Sequence, residues 1–316
     1  MNKINVQDSL TTDMRPHGVS AEYKDLLPTV LFPYKFEFTI NGASNAVANA
    51  IRRTIACELP VKCLICDYEN IQTNDPFIIP ELIVKRLKLI PIAQHVSDRA
   101  EFSLASQNKT MGVIDVKSAD LLPVKAARPV FNETFTLFSL NPATYCNISK
   151  VRVESRYGYI AGDGGAVLGV NTTSTVVDVQ PYDQYEDKGV HSSNSEARSW
   201  KISFVNNGTL EPNRIVIMAC DNIIARASAV LELLHQINNN GDEYSLVIVG
   251  ESDTIGNLLM KTICELNPRI KMVTYSTSNV ERSMTLRIRC DDDINIVIGG
   301  AVAEIISIME KIKNHF

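Results

Sequence analysis

Between Lys35 and Ile40 the apolar residues Phe36, Phe38 and Ile40 alternate with Lys35, Glu37 and Thr39, the period of a half-buried strand. "NGAS" follows as a turn, with Ser44 placed to cap a helix. From there the period is that of a helix, and Pro60 stops it. Short strands are expected around Val61–Tyr68. "PELIVKRLKLIPI" is then a compact apolar segment between Pro80 and Pro91, studded with Lys85, Arg86 and Lys88. From about 95 to 197 the texture changes to short β-type runs such as "KVRVES", closed by the loop-like "YDQYEDKGVHSSNSEARS".

"WKISFV" restores a strand, and "NNGTLEP" leads into a helix with Pro212 near its first turn. Ile215, Met218, Ala219, Ile223, Val230, Leu233, Leu234 and Ile237 keep helical spacing up to Asn238–Gly241, which reads as a helix stop and a lobe boundary. "YSLVIVG" is a further strand. "SDTIGNLLMKTICELNP" is a helix capped at Ser252 or Asp253, with Ile255, Leu258, Leu259, Ile263 and Leu266 facing one way. "MTLRIRC" alternates Leu286, Ile288 and Cys290 with Arg287 and Arg289. "GGAVAEIISIMEKIKNHF" closes as a helix with Ile305, Ile308, Met309, Ile312 and Phe316 on one stripe. Strand, helix, strand, helix thus occurs twice, and an insertion interrupts the first copy. The fold class is α+β.

Composition narrows the function. With 316 residues, 45% of them hydrophobic, the chain can bury one large core or two. A charged fraction of 21% argues against wholesale disorder, and a net charge of -5 argues against a stand-alone nucleic-acid binder. Seven cysteines, an odd number, and a start "MNKINVQDSL" without an apolar signal core point to free thiols in a reducing compartment. No apolar run approaches the roughly 20 residues of a membrane helix, so a soluble intracellular protein without membrane contact is expected.

The stretch "SNAVANAIRRTIACELP" is unusual in carrying Arg52 and Arg53 on an otherwise apolar helix. On a helical wheel Val47, Ile51, Thr54 and Ile55 share one side, while Asn45, Asn49, Arg52 and Arg53 fall together on the other. Two amides and two guanidiniums make either a solvated face or a docking face for partner carboxylates, which arginine can grip in a bidentate way. Periodicity does not choose between them.

"NAIRR" (Asn49 to Arg53), followed some thirty residues on by "RLKLIP" (Arg86 to Pro91), resembles the alpha-type assembly subunit of multisubunit DNA-directed RNA polymerases. That group includes the archaeal D-type protein and the third-largest eukaryotic subunit. "FVNNGTLEPNRIVIMACDNI" resembles the returning strand, turn and dimerisation helix of the same proteins. "SDTIGNLLMKTICELNPRIKMVTYS" (Ser252 to Ser276) resembles their small partner, the archaeal L-type protein. The family's R-L-G-L-I-P has Lys88 in place of Gly and Lys85 in place of the preceding His. Asp253 stands at the His of H-T-L-G-N, and the later H-P dipeptide is missing near Thr277–Val280.

The resemblance implies two related alpha-like dimerisation lobes in one chain, fused as in large cytoplasmic DNA viruses. The divisions are an N-terminal arm over 1–30, a D-type lobe over 31–94 and 198–240, a β-rich insert over 95–197 and an L-type lobe over 241–316. It also implies a non-catalytic platform on which the largest and second-largest polymerase subunits assemble, with a small zinc-binding subunit alongside. DNA is touched only indirectly and no homodimer forms, with the host cytoplasm and the virion as locations. Asn45, Asn49, Arg52, Arg53 and Arg86 would contact the second-largest subunit. Ile215, Ile223, Val230, Leu233 and Ile237 would pair with Ile255, Leu258, Leu259, Ile305, Ile308 and Ile312. The alternative is an α/β scaffold or homodimerising interaction protein unrelated to transcription.

Other features are weaker. Cys63 and Cys66 form one CxxC, but the remaining cysteines (57, 146, 220, 264 and 290) are scattered, so structural thiols are expected and no metal is assigned. "GYIAGDGGAVLGV" lacks the spacing of a phosphate loop and reads as a turn. "CDDD" (Cys290 to Asp293) reads as a solvated acidic turn rather than a magnesium site. The five histidines pair with no nucleophile. No catalytic constellation and no cofactor are expected. A third and weaker reading, a nucleotide- or metal-dependent enzyme, would rest on the glycine-rich loop.

Overall fold

The computed structural model describes residues 4–13, 34–88, 90, 92, 96–125, 136–157, 177–181, 199–206, 210–241, 243–278 and 280–316. The glycine-rich stretch 158–170 and most of the 181–199 loop lie outside them.

The first sheet joins β1 (Asn5–Asp13), β2 (Tyr34–Asn41), β11 (Ser199–Asn206) and β10 (Val177–Pro181), in the order β1-β2-β11-β10. All three pairings are antiparallel, and the chain between β2 and β10 makes a long excursion out of this sheet. The register sets Phe36 opposite Phe204, Phe38 opposite Ile202 and Ile40 opposite Trp200. The alternating pattern therefore puts every one of these side chains on the same face, and all are buried.

Within that excursion come α1 (Asn45–Arg53), extended by a π-helical turn over Thr54–Glu58, then β3 (Pro60–Ile65), β4 (Ile71–Thr73) and α2 (Pro80–Lys88). After them follow β5 (Glu101–Gln107), β6 (Ile114–Lys117), β7 (Leu122–Lys125), β8 (Thr136–Leu140) and the long β9 (Tyr145–Tyr157). Strands β3, β9, β5 and β7 form a sheet in that order with β4 also on β9, while β6 pairs with β8. Leu64, Leu87, Phe102, Leu140, Ile148 and Val151 close a hydrophobic core of their own beneath α2.

After β11 comes α3 (Pro212–Glu232), then β12 (Asn238–Asn239), β13 (Tyr244–Val249), α4 (Asp253–Leu266), β14 (Met272–Ser278), β15 (Ser283–Arg289) and α5 (Ile294–Lys313). The second sheet has the order β12-β13-β15-β14. Leu246 opposes Leu286 and Ile248 opposes Met284, again on the buried side. One continuous core takes in the inner faces of both sheets together with α1, α3, α4 and α5. Helix α5 packs on both α3 and α4, and α1 packs on α4. At the end of the chain the ring of Phe316 meets Phe38 edge-on, 5.2 Å between centroids.

The two strand-to-helix turns that open the repeats have one form. Gly42 has φ 81 and is followed by Ala43 and by Ser44, the residue flanking α1; Gly250 has φ 83 and is followed by Glu251 and by Ser252, which flanks α4. A left-handed residue at that point suits glycine above other residues. Counting from these glycines, Ala43 corresponds to Glu251, Ala46 to Thr254, Asn49 to Asn257 and Arg53 to Lys261.

Several elements differ from the pattern read along the chain. The N-terminal arm expected over 1–30 contributes β1, whose Val6 turns into the core while Leu10 points outward. A register shift between Gln7 and Leu10 breaks the alternation that would have revealed it. Ser44 stands at the flanking position of α1, but its hydroxyl makes no capping bond. Helix α5 begins at Ile294, ahead of the Gly-Gly pair, because the Asp293 carboxylate accepts the backbone N–H of Asn295 at 2.9 Å. The last aspartate of "CDDD" is thus a helix cap. Helix α3 ends at Glu232, so Leu233 and Ile237 lie past it in a short 3-10 turn and its exit.

Candidate functional site

Helix α1 turns Ala46, Val47, Ala48, Ala50 and Ile51 into the core. This leaves Asn45, Asn49, Arg52 and Arg53 on the other side, as the wheel requires. Both arginines sit in the last turn, where a cation complements the negative end of the helix dipole.

Their surroundings are unlike. Arg52 donates from Nε and Nη2 to Oδ1 of Asn49, at 3.1 and 2.9 Å, a clasp along one turn of helix that fixes its guanidinium on the outer face. Arg53 reaches across to the second sheet's helix: its Nε donates to Oγ1 of Thr254 on α4 at 2.8 Å and lies 3.8 Å from Oε1 of Glu58. Arg86, on α2, donates from Nη1 to the carbonyl of Leu137 at 2.6 Å and so ties α2 to β8 over the other core. The structure therefore groups Asn49 with Arg52, draws Arg53 into the chain's own junction, and sets Arg86 on a separate core.

The junction has members that no sequence pattern singled out. Glu58, the last residue of the π turn, accepts from Arg226 Nη1 and from the Thr254 hydroxyl, and the Thr54 hydroxyl donates to its Oε2 at 3.4 Å. Arg226 also donates to Glu251, from Nε at 3.0 and 3.2 Å and from Nη2 at 2.6 Å. Glu251 stands in the turn between β13 and α4. The side chains of Arg226, Glu58 and Glu251 are 19%, 16% and 12% exposed, so the network is largely withdrawn from water. Burial works against the charge on Arg226, but the hydrogen bonds to Glu251 and the nearby carboxylate of Glu58 outweigh it and hold its pKa above the ordinary arginine value. One legible sign existed. Arg226 lies three residues after Ile223 and four before Val230, so it is a lone charge on a buried stripe.

The residues expected to pair the repeats share the continuous core. Ile215, Ile223, Val230, Ile255, Leu258, Leu259, Ile305, Ile308 and Ile312 are buried in it, and Leu233 and Ile237 pack against its edge. Gly256 in α4 has a packing role: a Cβ built there would stand 2.6 Å from Cδ2 of Tyr275 on β14. Helix and strand approach at that point only because the side chain is absent.

The remaining candidates are placed as follows. Cys63 and Cys66 are buried, with their sulfurs 3.6 Å from the carbonyl oxygens of Glu154 and Ser149 on β9. Burial pushes the Cys66 thiol up to about 11. Among the described residues no three His, Cys, Asp or Glu side chains converge as a metal site would need. No helix among them is long and apolar enough to cross a membrane.

Comparison with known proteins points to a DNA-directed RNA polymerase subunit. No protein-family model matches the chain. A protein of a Kenyan pig isolate of African swine fever virus, named DNA-directed RNA polymerase RPB3-11 homolog, is 23% identical over 328 aligned positions, covering 93% of this chain and 90% of its own. The protein of that name from the Badajoz strain is 25% identical over 298 positions, covering 84% and 82%. The DNA-directed RNA polymerase subunit Rpo3 of Archaeoglobus fulgidus is 33% identical over 63 positions, 20% of this chain and 23% of its own.

The chain is similar to RPB3-type DNA-directed RNA polymerase subunits. The similarity to the viral RPB3-11 homologs runs through nearly all of the chain, so it includes the continuous core and the helices that meet at the Arg226 junction. The archaeal similarity is shorter and closer.

Proposed function

We propose that the chain is the non-catalytic assembly platform of a DNA-directed RNA polymerase of a large DNA virus. In this reading the β2–α1 and β11–α3 units form a D-type lobe, β13–α4 and β15–α5 form an L-type lobe, and the two pair within one chain. The name carried by the viral relatives joins two numbers, 3 and 11, which fits such a fusion.

The observation that carries the reading is the division of labour on α1. Its apolar face is committed to the shared core and Arg53 to the junction, while Arg52 stays outside, held out by Asn49. A pre-oriented guanidinium with an amide beside it suits a carboxylate of a protein partner, because little side-chain freedom is left to lose on binding. The second-largest subunit is the partner assigned to Asn45, Asn49 and Arg52, with Arg53 positioning the helix from within. Arg86 would serve from α2, on the side of the β-rich unit. The largest subunit and a small zinc-binding subunit complete the assembly, DNA is contacted only through them, and the site of action is the host cytoplasm.

The test is affinity purification of the tagged chain from cells making the polymerase, under salt high enough to strip weak ionic contacts. The largest and second-largest subunits should co-purify in equal amounts with it. Recovery of the chain alone, or as a homodimer, would restore the scaffold alternative.

A further inference from the structure

The two repeats are similar enough that each could in principle pair with a copy of itself, since the same strand–turn–helix form faces the junction from both sides. At two positions they are chemically opposite. The second repeat presents Glu251 from its turn and Thr254 from the first turn of α4, which receive Arg226 and Arg53. The equivalent positions of the first repeat, counted from Gly42 and Gly250, hold Ala43 and Ala46, both buried and neither able to accept a side-chain hydrogen bond. Ala43 is further occupied, because its carbonyl accepts the indole N–H of Trp200 at 3.0 Å.

We propose that the Arg226–Glu251 and Arg53–Thr254 contacts, joined through Glu58, determine which lobe pairs with which: they select the second repeat as partner and reject a second copy of the first. The inference rests on the lobe pairing described above but not on the docking of polymerase subunits. If two first repeats met in this geometry, Arg226 would face Ala43 and keep only the Glu58 of its own repeat, and Arg53 would lose its hydroxyl partner. A largely buried guanidinium denied half of its carboxylate partners is the kind of penalty that separates right from wrong partners. Apolar packing alone could not discriminate, because both repeats offer Ile, Leu and Val to the same core. The tether favours pairing within the chain through high effective concentration, and the charge network makes the choice persist against exchange between chains.

The experiment uses the full chain with a protease site inserted between Asn240 and Gly241, purified intact and then nicked. Native mass spectrometry and sedimentation follow the two fragments, which begin as a folded pair. The wild-type fragments should remain a one-to-one complex on dilution. Glu251→Ala with Thr254→Ala writes the first repeat's residues into the second. That variant should weaken the complex at least about 100-fold and release homodimers of the larger fragment. Glu251→Gln keeps the shape and one acceptor, and should weaken the complex about 10-fold, which covers the event that the double variant does not fold. Variant fragments that stay one-to-one with wild-type affinity and form no homodimer would overturn the proposal while leaving lobe pairing intact. Wild-type fragments that separate and homodimerise would overturn lobe pairing as well. Either result leaves the polymerase reading to its own test.

Discussion

Arg226 and Glu251 meet in a two-pronged pair, Nη2 to Oε2 at 2.6 Å and Nε to Oε1 at 3.0 Å, across the boundary between two sheets of similar construction. Neither side chain is more than 19% exposed. Planar bidentate geometry of this kind is what arginine offers and lysine does not. The pair joins α3 to the turn before α4, and through Glu58 it also fixes the π turn at the end of α1.

Removing one partner of such a pair leaves the other desolvated and uncompensated. Arg226→Met is therefore expected to lower stability by about 3 kcal/mol, and Arg226→Lys by a smaller amount because one prong is lost. Urea unfolding of the full chain measures both.

The two adjacent arginines should separate by phenotype. Among the described residues Arg52 is clasped to Asn49 of its own helix, so Arg52→Ala should change stability by less than about 0.5 kcal/mol. Arg53 donates to Thr254, which is 3% exposed, so Arg53→Ala should cost about 1–2 kcal/mol. Thermal unfolding of the two variants side by side distinguishes them; equal losses would contradict the different placements.

Asp75 anchors the turn that leads into α2. Its carboxylate accepts the backbone N–H groups of Phe77 and Asn141, at 3.0 and 2.9 Å, and the hydroxyl of Thr144 at 3.1 Å. Burial raises its pKa, but these donors outweigh that and leave it below the usual aspartate value. A folded-state pKa below the unfolded one means stability that is fully present above the unfolded value, near pH 4, and lost as pH falls through the lower folded value. Asp75→Asn should thus be less stable than wild type at neutral pH by about 2 kcal/mol, and the gap should close as pH falls below about 4. Melting temperatures of both proteins across that range give the answer.

Gly256→Ala places a methyl group against the ring of Tyr275, and either the ring or α4 has to shift. A loss of about 1–2 kcal/mol is expected, recovered in part by Tyr275→Leu, which removes the opposing ring. A double-mutant cycle on unfolding free energies tests the coupling.

Much of this was legible in the chain. The period-2 run at Phe36–Ile40 and the helical stripes at Ile215–Val230 and Ile305–Ile312 mark elements that each bury one face, and burial is what periodicity records. Strand β1 escaped because an edge strand with a bulge, in which Val6 turns inward and Leu10 outward, carries almost no period. The π turn at Thr54–Glu58 escaped because Pro60 announces an end to the helix but not how its last turn is wound. The wheel placed Arg52 and Arg53 together, yet adjacent residues on a helix point about 100° apart, which is enough to send one outward and the other to α4. The Glu58–Arg226–Glu251 network joins residues 168 and 25 positions apart. No local pattern encodes such a meeting, although a lone arginine on the buried stripe of α3 signals that a carboxylate must be found.

The most direct measurement reconstitutes the purified chain with the largest and second-largest polymerase subunits of the same source and weighs the complexes by native mass spectrometry. The wild-type chain should form a one-to-one-to-one assembly. Arg52→Glu, folded and as stable as wild type to within about 0.5 kcal/mol, should lose the second-largest subunit. A wild-type chain that binds neither large subunit would contradict the platform account; an Arg52→Glu chain that assembles as well as wild type would show the outer face of α1 to be solvated.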